Sequence, residues 1–243
     1  YINREDPTKI SIGKIVDRGR SIITVKKILE HIQEGHRSAL ISMATGTGKT
    51  RVAMAIIDVL LRARTIRNVL FVVDRIPLAD NAKEEGFKEF FSEAVTDLRE
   101  DPKSFPDGFY VTTIQTLRYG KKDKYYEKFS SGFFDLVIFD EAHRSIYDPN
   151  QEVHKYFDAI RIGLTATPSG KETKNTFELF GCQGKNATAE YQYDDAVKDK
   201  VLVPYKAEII DTDVLTLGIE GSKLTKEIKN QLRQQEVNPD VIE

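Results

Sequence analysis

A chain of 243 residues, 40% hydrophobic and 30% charged, is long enough to bury a sizeable core and has an ordinary water-soluble composition. Its longest apolar runs are about five residues and no signal-peptide pattern opens it, which leaves no candidate membrane helix. A formal net charge of -2 excludes a global electrostatic pull toward nucleic acid, so any such binding must come from a local face.

Cys182 is the lone cysteine, which excludes an internal disulfide and points to a reducing compartment, the cytoplasm. The four histidines, His31, His36, His143 and His154, show no zinc spacing with one another or with Cys182. The chain opens at Tyr1 and not at methionine, and is read as a piece of something longer.

Residues 1–20 are polar and interrupted by Pro7 and Gly13, an irregular lead-in. From Ile22 the positions Val25, Ile28, Leu29 and Ile32 follow helical spacing, with Gly35 placed as a C-terminal cap. Ala39-Leu40-Ile41 then predicts a strand, a glycine-rich loop runs to Lys49-Thr50, and Val52 to Leu61 predicts a helix apolar nearly all round. Val69 to Val73 is a continuous apolar run, the pattern of a strand covered on both faces, and Leu78 to Phe91 follows as a crossover helix. Tyr110 to Ile114 and Leu136 to Phe139 predict two more strands, with the solvated charge run Lys121 to Lys124 between them. Val153 to Ile160 is helical in character, and Arg161 to Leu164 leads into Thr165-Ala166-Thr167-Pro168. Past Gly181 the pattern weakens, with a helix expected over Asp194 to Val201, a strand over Lys206 to Ile210 and a polar helix over Lys223 to Gln235.

Strands alternating with helices predict an α/β domain with a mostly parallel central sheet and helices on both faces. In such sheets ligands sit beyond the carboxyl ends of the strands. Thr50, Asp74, Asp140 and Thr165 all fall just after such ends, which argues for a single site.

The loop Met43-Ala44-Thr45-Gly46-Thr47-Gly48-Lys49-Thr50 carries the first half of its chemistry. Gly46 and Gly48 let successive backbone N–H groups turn toward an anion, and the helix N-terminus behind them adds partial positive charge. Lys49 has the reach for β- and γ-phosphates, and the Thr50 hydroxyl is a hard oxygen suited to Mg²⁺. Met43 stands where the strict phosphate-loop pattern has a glycine. Asp140, after four buried apolar residues, would emerge at the sheet edge as the Mg²⁺ partner, and Glu141 beside it can deprotonate an attacking water.

Taken in order, A-T-G-T-G-K-T at 44–50, D-E-A-H at 140–143 and T-A-T at 165–167 resemble motifs I, II and III of superfamily 2 helicases and translocases. The flanks Phe71 to Arg75, Asp140 to Ser145, Ile162 to Pro168, Asp195 to Val197 and Leu202 to Tyr205 resemble the motor subunit of type I restriction enzymes. The resemblance implies a RecA-like P-loop domain over 21–205, the first of two such domains that hold ATP and Mg²⁺ between them. Residues 206–243 would then lead toward the missing second domain. It implies an ATP-dependent translocase on duplex DNA, working with modification and specificity subunits.

It also implies nucleotide contacts from Thr45, Gly46, Thr47, Gly48, Lys49, Thr50 and His143, coupling through Thr165 and Thr167, and nucleic-acid contacts from Arg75, Thr112, Thr113 and Gln115. Near Ser21, where relatives carry an adenine-reading glutamine, this chain has Arg18, Arg20 and Ser21. Glu172-Thr173-Lys174 and Glu227-Ile228-Lys229 have a nuclease-like spacing but no upstream acidic partner, so no nuclease is expected here. A repair or RNA helicase of the same superfamily is the nearest alternative. A nucleotide-binding switch without turnover is the alternative of another class, and the base at Glu141 argues against it.

Overall fold

A computed structural model describes residues 15–16, 19–91, 94–119, 124–142, 151–166, 176–182 and 186–205. The chain divides into two compact units, Tyr1–Val203 and Pro204–Glu243. The strand expected at 206–210 and the helix expected at 223–235 lie outside the described residues, as do both nuclease-like triplets.

The first unit is built on seven strands: β1 (Ser38–Met43), β2 (Val69–Val73), β3 (Val95–Asp97), β4 (Phe109–Thr113), β5 (Leu136–Phe139), β6 (Ile160–Thr165) and β7 (Ala189–Tyr191). Their order across the sheet is β3-β4-β2-β5-β6-β1-β7, and every pairing is parallel. Side chains alternate between two apolar layers, as the pleat requires. Ala39, Ile41 and Met43 of β1 face one layer and Leu40 the other; Val69, Phe71 and Val73 of β2 face the first, Leu70 and Val72 the second.

The first layer is closed by α1 (Gly19–Gln33), α2 (Lys49–Arg62), α3 (Ile76–Asn81), α4 (Lys88–Phe90) and, after β7, α7 (Tyr193–Lys198). The second is closed by α5 (Ile114–Arg118), a 3₁₀ turn over Tyr125–Lys128 and α6 (Gln151–Tyr156), with an aromatic stack around Phe129 and Phe134. Gly35, at φ 93, ends α1, and the His36 N–H donates back to His31 O at 3.3 Å, the bond that caps a helix of this kind.

Several boundaries differ from expectation. Ile160 is not the end of a helix: α6 stops at Tyr156, and Ile160 opens β6 opposite Leu136. Ile114 is not in the strand but opens α5, whose N-cap is Thr113. The segment after β2 is helical from Ile76 to Phe90, but it winds as a π-helix over Ala82–Phe87 between α3 and α4. The short strands β3 and β7 had no counterpart in the sequence reading.

On the edge, β3 is held by charge. Asp97 accepts from the Arg99 guanidinium at 2.6 Å, and Arg99 reaches Asp80 of α3 at 2.6 Å. Burial would raise the Asp97 carboxyl, but hydrogen bonds from Arg99 and the charges of Arg99 and Lys83 outweigh it and hold the group below the usual carboxylate range.

Candidate nucleotide site

The order β5-β6-β1 brings three strand ends together at one edge of the sheet. From β1 the chain passes into the loop Ala44 to Gly48. The Ala44 N–H donates to Tyr191 O of β7 at 3.0 Å, and the buried Thr47 hydroxyl donates to Ala44 O at 2.6 Å, so the loop's base is pinned from within and from the neighbouring strand. Gly46 and Gly48 sit at φ 82 and 95, the left-handed region. A Cβ on Gly46 would also lie 3.2 Å from the Leu202 side chain, so a larger residue there would be strained in conformation and would crowd that leucine.

Such alternation turns successive N–H groups into a concave nest for anions. Behind it α2 begins at Lys49 with Gly48 as N-cap, no side-chain cap and no acidic residue in its first turn. Its positive end is therefore open to a phosphate. Thr45 and Gly46 are exposed, while Gly48, Lys49 and Thr50 are half-buried. The Lys49 ammonium donates to Met43 O at 3.3 Å, folded back over its own loop.

Asp140 follows β5, two strands from β1, a span of ~10 Å at ordinary strand spacing. Its N–H donates to Val72 O at 2.8 Å, and its carboxylate accepts the Glu141 N–H at 3.0 Å. Burial, and then the Glu141 charge, push the Asp140 carboxyl up to about 6, against the Glu141 N–H and the Lys49 charge, which pull it down. The strand order thus sets the loop lysine and the acidic pair at the same edge of the sheet, with β6 between their strands. Glu141 is held at φ 51, a left-handed conformation uncommon outside glycine, asparagine and aspartate and concentrated at functional sites. The oxygen donors Thr50 and Asp140, both half-buried, suit a hard cation such as Mg²⁺.

Thr165 ends β6, fully buried, with Ser42 of β1 as its register partner. His143 and Thr167 lie outside the described residues. On the other side of Asp140 a depression is lined by Val72, Val73, Asp74, Ile114 and Asp140. Beyond it, Arg75 and Gln115 are exposed. Thr112 and Thr113 depart from expectation: Thr112 is 0% exposed, and Thr113 is 4% exposed with its hydroxyl accepting the Thr116 N–H at 3.2 Å as the α5 cap. All five residues of β4 are buried, so the strand is covered on both faces, which residue type alone did not reveal.

Two features escaped the sequence reading. Gly86, in the π-helical segment, packs on Thr50 and Met54; an isolated glycine inside a helical pattern was the available signal. The Gly35 turn also brings His31, Glu34 and His36 together, with potential ligand atoms within 4.8 Å of one another. The two imidazoles stack with centroids 4.0 Å apart, so their in-plane lone pairs do not converge on one ion.

A family model described as "Type III restriction enzyme, res subunit" matches residues 15–170. The type I restriction enzyme EcoAI endonuclease subunit of Escherichia coli is 30% identical over 207 residues, covering 83% of this chain and 25% of that protein. The match thus spans about a quarter of that relative's length. A fragment of a putative HsdR subunit of a type I restriction enzyme from Vibrio vulnificus superposes with a TM-score of 0.58 at 26% identity, over 80% of this chain and 34% of that one. The helicase domain of Hef from Pyrococcus furiosus, at 20% identity and a TM-score of 0.57 over 92% of this chain and 52% of that one, speaks for the fold alone. With the all-parallel sheet, the fold is RecA-like α/β.

Proposed function

The chain belongs to the type III restriction enzyme res subunit family, with the helicase-like motor fold of restriction enzymes, and from that premise we propose that it is the first half of an ATP-driven motor on duplex DNA. The observation that carries this is the strand order β5-β6-β1, which sets the glycine loop ending at Lys49 and the acidic residues Asp140 and Glu141 at the same edge of the sheet. The amides of Thr45 to Gly48 and the Lys49 ammonium bind the β- and γ-phosphates of ATP. Thr50 and Asp140 hold Mg²⁺, which when bound neutralises charge on the transferring phosphoryl group. Glu141 takes the proton of the attacking water.

His143, Thr165 and Thr167 relay nucleotide state toward Arg75 and Gln115, which touch DNA phosphates without reading sequence. In the complete enzyme a second RecA-like domain closes on the nucleotide, and modification and specificity subunits supply the recognition sequence. The setting is the cytoplasm; among the described residues no helix is long and apolar enough to cross a membrane.

The test is a pair of variants of the full-length protein. Glu141→Gln should keep ATP binding, read by fluorescent-nucleotide titration, and lose about 10²–10⁴-fold in turnover. Lys49→Ala should weaken binding and turnover together. Unchanged turnover in Glu141→Gln would remove the base from the mechanism.

A further inference from the structure

Between α3 and α4 the backbone winds as a π-helix for six residues, Ala82–Phe87. Such segments are rare inside helices and concentrate at functional sites. This one faces the first turn of α2. Gly86 is buried, and a Cβ built on it would meet Met54 Cε at 3.1 Å and the Thr50 methyl at 3.5 Å.

The neighbouring residues fasten the same turn. Arg51 Nη2 donates to Glu89 at 2.9 Å, and the Arg51 guanidinium lies 5.3 Å from the centre of the Phe90 ring. Phe87 packs against the sheet, 5.0 Å from Phe109 and 5.9 Å from Phe71, which anchors the residue next to Gly86. Gly86 has no positive φ, so its lack of a side chain answers to space and not to conformation.

We propose that Gly86 is a positioning residue for the magnesium site. The π-helical turn brings a bare backbone against α2 and so sets how far the Thr50 hydroxyl stands from Asp140. The proposal rests on the reading of Thr50 and Asp140 as the Mg²⁺ ligands. The Thr50 methyl and hydroxyl share one carbon, so anything that presses on the methyl moves the oxygen. Displacements well under 1 Å are enough to matter for an octahedral ion with short oxygen bonds. An added methyl at Gly86 would stand at ordinary contact distance from the Thr50 methyl and crowd the end of Met54, which is fully buried one turn along the same face of α2, so it acts on Thr50 through the helix, whereas a valine reaches Thr50 directly.

The experiment follows ATP hydrolysis by the full-length protein as a function of Mg²⁺ at fixed ATP. Gly86→Ala should raise the half-saturating Mg²⁺ concentration severalfold, and Gly86→Val by about tenfold. Met54→Leu, which removes the Cε atom, should return Gly86→Ala to within about twofold of wild type and do little alone. A purely packing role would lower Tm and leave the Mg²⁺ response in place, which would overturn the proposal. So would a Gly86→Ala defect that Met54→Leu does not repair. Should Gly86→Val fail to fold by near-ultraviolet circular dichroism, the alanine and its double variant carry the test. A wild-type protein without Mg²⁺-dependent hydrolysis would defeat the nucleotide-site reading itself. Normal hydrolysis with an unchanged Gly86→Ala would defeat the positioning role alone.

Discussion

Asp140 pairs a functional demand with a stability penalty. Its carboxyl is raised from the ordinary 3.8 to about 6 by burial and by Glu141. A folded-state value above the unfolded one means the group favours folding below the unfolded value and loses that contribution as pH rises through the folded one. At neutral pH the native protein therefore holds a desolvated carboxylate at a penalty of about 3 kcal/mol. Asp140→Asn keeps a carbonyl oxygen for the Glu141 N–H and removes the charge. In metal-free buffer at pH 7.5 its Tm should exceed wild type by several degrees, and the gain should shrink toward zero near pH 4, while Mg²⁺-dependent hydrolysis is lost. Calorimetry across that pH range checks it. Equal or lower stability at pH 7.5 would mean that the carboxylate is not desolvated. Glu141 shows the same tension in its backbone, held at φ 51 where a side chain is disfavoured.

Among the elements, β6 is where packing and the site meet. A Cβ on Gly163 would lie 2.8 Å from two atoms of the buried Phe180 ring and 2.9 Å from Leu40 Cδ1. Gly163→Ala should destabilise the protein by about 1–3 kcal/mol in urea melts. It should also weaken ATP binding, because β6 spaces the phosphate loop from Asp140. Phe180→Leu in that background should recover part of both losses.

The same elements show what could be seen in advance. The strands β1, β2 and β5 announced themselves as apolar runs, and the loop at 44–50 with the acids at 140 and 141 by residue type and spacing. Those features are local. Ile160 misled because Val153, Phe157 and Ile160 keep helical spacing, although the chain leaves the helix after Tyr156 to pair with Leu136. The strands β3 and β7 are three residues each, Val95–Asp97 and Ala189–Tyr191, too short for a period to register. The π-helical turn was marked locally only by Gly86, and the burial of Thr112 depends on neighbours distant in sequence.

For the molecule as a whole, a net charge of -2 means that the duplex DNA proposed as its track would have to be gripped by few cations and by backbone groups. The edge beyond β2 and β4 offers Arg75 and Gln115 on the surface and keeps Thr112 and Thr113 inside. The four residues that a motif comparison treats alike should therefore separate in a binding experiment. In the full-length protein, ATPase should be stimulated by duplex DNA. Arg75→Ala should raise the DNA concentration for half-stimulation and reduce the slope of log affinity against log salt by about one. Thr112→Val, nearly isosteric and without exposed surface, should leave both unchanged. Thr113→Ala should lower stability by about 1 kcal/mol through the lost α5 cap, with the salt slope intact. A threonine variant that alters the slope would mean that β4 opens when DNA binds. Stimulation by RNA in place of duplex DNA would keep the nucleotide site and replace the track.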